Sequence, residues 1–173
     1  MKFEIPFNSQ IYTEQMTLNF NTAWNKNLKN NRNRLFWAVP MIILGGLIIY
    51  GENNLGFLFM AIGIHYSINF YDYYAYYKKS KKAFFELVEK EKNGQIVANE
   101  NSVLEFNDDY FSYKDYKYEA KIKWKAFKST RIIDKNLFLD LGLGNNSSYV
   151  IGEIEIGSEN FNTLIEFVKR KIV

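Results

Sequence analysis

Cysteine is absent from this chain and histidine occurs once, at His65. The first absence removes disulfide frameworks, thiolate metal sites and thiol nucleophiles, and with them any argument from redox compartment. The second leaves no histidine cluster, and the sequence contains neither a His-Glu-x-x-His element nor a Walker loop. No metal, no cofactor and no enzymatic activity are therefore expected. Gly142 and Gly144 echo a phosphate loop only weakly: Asn145-Asn146 follow where a helix would have to start, so hairpin-turn chemistry accounts for them. Asp108 and Asp109 look like an acid/base pair, but neighbours on a strand point to opposite faces, and a turn is expected there.

What is present is apolar and aromatic. Of 173 residues, 47% are hydrophobic, 18% aromatic and 24% charged, which excludes a disordered chain and suits one medium domain or a small domain with an appendage. The abundance of asparagine, lysine, isoleucine and tyrosine fits an AT-rich bacterial genome. The net charge of +3 is concentrated in two places. Lys26, Lys29, Arg32 and Arg34 precede the first long apolar run, and Lys78, Lys79, Lys81 and Lys82 follow the second. These eight positive charges leave the rest of the chain at −5, whereas a nucleic-acid binder would spread its basic residues over a folded face.

The first apolar run, LFWAVPMIILGGLIIYG at residues 35–51, has no charged residue and no polar stripe of the kind a soluble surface helix shows. Its length lies at the lower edge of what crosses a hydrocarbon core. The second, NNLGFLFMAIGIHYSINFY at residues 53–71, is separated from it by Glu52 alone. With GENN as the turn, the two predict a transmembrane helical hairpin at 35–77, with helices at 35–51 and 53–74. Lysine and arginine crowd both ends and are missing from the connecting loop, which places both termini in the cytoplasm by the positive-inside rule. Tyr71, Tyr73, Tyr74, Tyr76 and Tyr77 would then lie at the membrane interface, where phenol rings are favoured, with Lys78, Lys79, Lys81 and Lys82 meeting anionic headgroups just beyond. Trp37 and Phe36 take the matching place at the start of the first helix. Ala38 with Gly45, and Gly56 with Gly63, are each seven apart and could form a small-residue seam. Pro40, near the start of its span, is expected to kink it slightly. His65 and Asn69 are candidate intramembrane polar residues, as is Ser67, because polar groups are costly at that depth. MKFEIPFNSQ lacks the apolar core of a cleavable signal peptide.

Residues 1–34 are expected to hold an N-terminal strand and a basic approach helix, and residues 78–94 a juxtamembrane helix with Phe84, Leu87 and Val88 on one side, a Glu86/Lys90 pair on the other and Asn93-Gly94 as its end. Residues 95–173 change to a period of two. VLEF (103–106), YFSYK (110–114), YEAKIKW (118–124), FKSTRIID (127–134), LFLDL (137–141) and YVIGEIEI (149–156) alternate as strands, with turns at Asn107, Asp115, Asp134-Lys135-Asn136 and residues 142–148. Trp124 continues the apolar face of its strand and is a candidate core or ligand residue. Ser158 is expected to cap a final helix carrying Phe161, Leu164, Ile165, Val168 and Ile172 at helical spacing. The fold class is α+β: the membrane hairpin plus a small antiparallel barrel or sandwich of the pleckstrin-homology (PH) kind, closed by a C-terminal helix.

The order of KFEIPF, a basic approach, two membrane helices, a tyrosine- and lysine-rich exit and the run KIKWKAFKSTRIID, LFLDL, YVIGEIEI resembles the YcxB-like membrane proteins over most of the chain. Trp124 matches the tryptophan of that family, while Gly152-Glu153 stands where the family has a Pro-Lys element. The resemblance implies a membrane anchor in the bacterial inner membrane with a cytoplasmic PH-like module and no assigned activity. The expected role is a membrane-anchored binding or regulatory module that meets a protein partner or inner-leaflet lipid, not nucleic acid, with homo-oligomers allowed. A small channel-like or transport subunit using His65 and Asn69, and an immunity-type protein, are the alternatives.

Overall fold

The computed structural model describes residues 1–142 and 148–172. In chain order the elements are β1 (Lys2–Ile5), α1 (Ser9–Tyr50), α2 (Leu55–Ala98), β2 (Ser102–Phe106), β3 (Tyr110–Lys114), β4 (Glu119–Lys123), a 3-10 turn (Trp124–Ala126), β5 (Phe127–Ile133), β6 (Asn136–Leu141), β7 (Ser148–Gly152), α3 (Glu153–Ile156) and α4 (Ser158–Lys171). The chain divides into two compact units. Unit 1 comprises Met1–Ala23 and Leu87–Val173, and unit 2 comprises Trp24–Glu86.

Unit 2 is held by a seam with a seven-residue period. On α1, Trp24, Asn31, Ala38 and Gly45 are buried at successive intervals of seven, the spacing that keeps one stripe of a helix facing a neighbour. Tyr77, Phe70, Gly63 and Gly56 of α2 answer them in reverse order, so the helices are antiparallel. A Cβ on Gly56 would lie 2.5 Å from the Gly45 carbonyl oxygen, and one on Gly63 would lie 2.9 Å from that of Ala38. Further along, the Asn31 amide donates to the Phe70 carbonyl at 3.1 Å, and the Trp24 and Tyr77 rings are 5.4 Å apart. Side-chain size thus rises from glycine on glycine to tryptophan on tyrosine. The connection begins with Glu52 at φ +62°, and Asn53 Oδ1 accepts the Leu55 N–H at 2.9 Å, capping α2.

With the small residues inward, the large ones face out. Phe36, Trp37, Val39, Ile43 and Leu47 on α1 and Phe57 and Leu58 on α2 are exposed. Only α1, among the described helices, is long and apolar enough to cross a bilayer, and 11% of that stretch is buried. Of the two expected spans, the second is diluted by Asn53, Asn54, His65, Ser67 and Asn69. Pro40 lies deep inside α1, not near its start, because the helix begins at Ser9.

Unit 1 is built on two antiparallel sheets, ordered β1-β2-β3-β4 and β5-β6-β7. The N-terminal strand joins the first: Phe3 pairs with Leu104, and the Met1 ammonium donates to the Phe106 carbonyl at 2.7 Å. Asn107 closes the β2–β3 turn, its side-chain oxygen accepting the Asp109 and Tyr110 N–H groups. Asp134 and Lys135, at φ +48° and +60°, form the two-residue turn between β5 and β6, the geometry that matches the twist of a tight hairpin. Leu104, Phe106, Phe111, Leu139 and Ile151 make a common core with Phe161, Leu164 and Val168 from α4. The expected turn over residues 142–148 falls mostly outside the described residues.

Several expectations are corrected. The sheets do not close into a barrel: the chain turns through Trp124–Ala126 after β4, and β5 opens a separate sheet. Helix α2 runs through Asn93-Gly94 to Ala98, since Gly94 gives room to the Tyr116 ring, whose hydroxyl would be 2.2 Å from a Cβ there. It ends where Asn99 adopts φ +52° and Gln95 donates to the Glu100 carbonyl, an αL cap that asparagine tolerates. Val88 is buried but Leu87 is exposed, and Glu86 lies 3.9 Å from Lys82 instead of pairing with Lys90. The last strand stops at Gly152. The Glu155 carboxylate returns to the Gly152 N–H at 2.7 Å, winding residues 153–156 into a helical turn that exposes Ile154 and buries Ile156. Gly157, not Ser158, is the N-cap of α4, and the Ser158 hydroxyl bonds to Glu153.

Gly56→Ala is expected to force the helices of unit 2 apart and lower the thermal unfolding midpoint of the detergent-solubilised protein, overpacking of this kind costing about 1–3 kcal/mol. Gly46→Ala, with nothing within 4 Å of its Cβ position, should leave the midpoint unchanged or raise it through helix propensity.

Candidate functional site

The residues singled out in unit 2 separate into two groups. Trp37 is 56% exposed. Tyr71, Tyr74 and Tyr76 are also exposed, but Tyr73 and Tyr77 are half-buried, with their rings 6.0 and 5.4 Å from Trp24. The expected tyrosine belt is therefore partly a packing cluster at the wide end of the seam. Lys78, Lys79, Lys81 and Lys82 are all exposed, with the Lys78 ammonium 5.0 Å from the Tyr74 ring centroid, a cation–π distance. His65 and Asn69 lie one turn apart on α2. The Asn69 amide donates to the His65 carbonyl at 2.8 Å and sits 3.0 Å from Nε2, so the Asn69 amide nitrogen and His65 Nε2 meet within one helix. The Ser67 hydroxyl donates to the Gly63 carbonyl at 3.0 Å. In unit 1, Trp124 is buried in the core, its Nε1–H donating to the Asn107 carbonyl at 2.9 Å, and Asp108 of the turn pairs with Lys171 at 2.7 Å.

Unit 1 also contains a cavity of about 490 Å³ that none of those residues lines. Five tyrosines contribute to its wall beside aliphatic and polar side chains. Tyr113 on β3 packs at 5.6 Å from Tyr118 and 5.3 Å from Tyr149 on β7, and Tyr12 of α1 and Tyr116 also line the cavity. One turn residue arranges much of this. Asp115 Oδ1 accepts the N–H groups of Lys117 (2.8 Å) and Tyr118 (2.9 Å), while Oδ2 accepts the Tyr113 hydroxyl at 3.1 Å. Such a side chain replaces a backbone turn bond and fixes the loop. Glu91 of α2 takes the Tyr116 hydroxyl at 3.3 Å and forms an ion pair with Lys117. Glu155 of α3 is held by the Gly152 N–H and by the Gln15 amide at 2.6 Å.

The electrostatics of the cavity are one-sided. The hydrogen bond from Lys117 holds the Glu91 carboxyl below the usual range. Burial pushes the Tyr12 phenol up to about 12, with Glu91 and Asp115 adding to the rise. Burial, followed by charge from Asp115, also raises Tyr113, and burial raises Tyr149 and Tyr118, with Asp115 contributing to both. Desolvation raises Glu155 against the hydrogen bonds from Gly152 and Gln15. Among the described residues, Asp115 and Glu155 form no ion pair, and no group of carboxylates and histidine is arranged to hold a metal. A second cavity, about 920 Å³, lies between α1, the β5–β6 turn and α3, and two of the charged residues lining it, Lys135 and Glu153, pair with each other at 3.2 Å.

These cavity residues were not singled out in the sequence, because residues 12, 91, 113–118, 149 and 155 converge only in the fold. The one local signal is Asp115 flanked by Tyr113, Tyr116 and Tyr118. No family model, curated protein or solved structure matches the chain.

Beside the cavity, Asp140 of β6 accepts two bonds from the Arg131 guanidinium, both at 2.6 Å, one from Ser148 at 2.6 Å and one from Ser129 at 3.0 Å. Burial alone would raise its pKa, but the bonds from Arg131, Ser148 and Ser129 outweigh it and leave the carboxyl below its ordinary value. A depressed folded pKa stabilises the protein above the unfolded value and the gain is lost as pH falls through the folded one. Asp140→Asn is expected to cost about 1–3 kcal/mol near neutral pH. In chemical denaturation, the gap to wild type should close as pH drops below about 4.

Proposed function

We propose that this protein is a non-enzymatic, membrane-anchored binding module. In this reading α1 and α2 form a two-helix transmembrane hairpin in the bacterial inner membrane with both termini cytoplasmic. The sheets and α4 form a PH-like domain at the cytoplasmic face that takes up a ligand or partner. The observation that carries it is the outward row of Phe36, Trp37, Val39, Ile43 and Leu47, large apolar side chains left exposed by a seam that turns glycine and alanine inward. Contiguous apolar surface of this kind is unfavourable in water by about 25 cal/mol per Å², and a bilayer removes that cost. The exposed Lys78, Lys79, Lys81 and Lys82 favour the cytoplasmic side, where they meet anionic headgroups at about 1 kcal/mol each. The resemblance to the YcxB-like membrane proteins points the same way.

Expressed in bacteria, the chain should pellet with membranes in ultracentrifugation, resist alkaline carbonate washing and be released by detergent. A C-terminal tag should be cleaved by protease in inverted vesicles and protected in intact spheroplasts. Recovery in the supernatant without detergent would remove the anchor, and cleavage in spheroplasts would reverse the orientation.

A further inference from the structure

We infer that the tyrosine-lined cavity of unit 1 is a binding site for an organic ammonium cation. The inference rests on reading unit 1 as a binding module and names the ligand class of that module. At about 490 Å³ the cavity is large enough for a small organic ligand. Five tyrosines line it, Tyr113 in ring contact with Tyr118 and Tyr149, and the face of an aromatic ring carries the negative end of its quadrupole. Alkyl groups on the cation would meet Leu104, Leu141 and Val150.

Charge decides against the other ligand classes. The one cationic side chain in the lining, Lys117, is already paired with Glu91, so an anion would face Asp115 and Glu155 with no free positive group to offset them. A neutral ligand would leave those two carboxylates unanswered. Asp115 sits among the cavity's phenols, its Oδ2 accepting the Tyr113 hydroxyl at 3.1 Å. A bare metal ion is poorly served by ring faces, and among the described residues no group of three or more carboxylates and histidine is arranged to hold one. An ammonium group on an alkyl body satisfies both features, since it stacks on the rings and answers the carboxylates.

The test is isothermal titration calorimetry on the full chain in lipid nanodiscs, with tetramethylammonium and butylammonium as cationic probes and tert-butanol and butanol as their neutral counterparts. At least one cation should bind, and its neutral counterpart should bind at least about tenfold more weakly, the scale of a desolvated cation–π contact with a charge partner. Asp115→Asn keeps an oxygen to accept the Lys117 and Tyr118 N–H groups, and Glu155→Gln keeps one for Gly152. Each should weaken cation binding about fivefold or more in protein that circular dichroism shows to be folded. Tyr149→Leu should weaken it without changing the charge. A phosphoethanolamine-headed glycerol that binds more tightly than butylammonium would assign the ammonium to a lipid headgroup, and the reverse order would assign it to a free amine. Absence of heat with both cations, equal binding of the neutral counterparts, or unchanged affinity in both carboxylate variants would overturn the assignment. Because the experiment uses protein already recovered from membranes, such a result would reject the ligand class and leave the anchor standing, whereas a soluble chain would reject the anchor and leave the cavity chemistry to be measured in buffer.

Discussion

Backbone meeting backbone at Gly45 and Gly56 is the constraint from which unit 2 follows. No side chain fits between these positions, since a single Cβ on Gly56 would fall 2.5 Å from a carbonyl oxygen. Once that contact is made, the seven-residue spacing determines the others: Ala38 meets Gly63, Asn31 meets Phe70 and Trp24 meets Tyr77. The Asn31 amide adds a directional bond in the middle of the seam, and a polar group at such a position selects one register over its neighbours. The same arrangement decides what is left outside. Filling the Ala38–Gly63 and Gly45–Gly56 end of the seam with the smallest residues leaves large apolar ones such as Phe36, Val39, Ile43 and Leu47 facing away, and the membrane reading grows from that division.

Unit 1 follows a different economy. Its core is aromatic and aliphatic, shared between the two sheets and α4, and its turns are closed by Asn107, Asp115 and the Asp134-Lys135 pair. Asp115 has a double effect. Its oxygens shape the loop by accepting two N–H groups and a phenol, while its charge biases the cavity that the loop borders. Tyr113 and Tyr149 are in turn half core and half wall, packed against the core and also lining the cavity, while the exposed Tyr118 packs on Tyr113.

Local periodicity carried far in the sequence. The alternation of YFSYK and FKSTRII, the spacing of Phe161, Leu164 and Val168, and the seven-residue steps of Ala38/Gly45 and Gly56/Gly63 are short-range patterns, and each corresponds to an element or contact found. What was illegible depended on distant groups. Asn93-Gly94 reads as a helix end, yet Tyr116 packs over Gly94 and the helix continues for another turn. YVIGEIEI reads as one strand, yet a Glu155 carboxylate returning to Gly152 bends its second half into a turn of helix. Which of the two expected forms, barrel or sandwich, the strands would take could not be inferred because the alternating pattern is the same in both. The cavity was invisible for the same reason: its carboxylates and phenols lie far apart along the chain.

The pairing of β1 with β2 also orders events during synthesis. Lys2–Ile5 leave the ribosome before both long helices, and Ser102–Phe106, to which they bond, emerge only after them. This strand therefore stays without its β2 partner until both helices are made, and the pairing spans the longest sequence separation of any strand pair among the described residues, a closure that is intrinsically slow. A nascent chain stalled before residue 102 would present β1 as an edge without its neighbour.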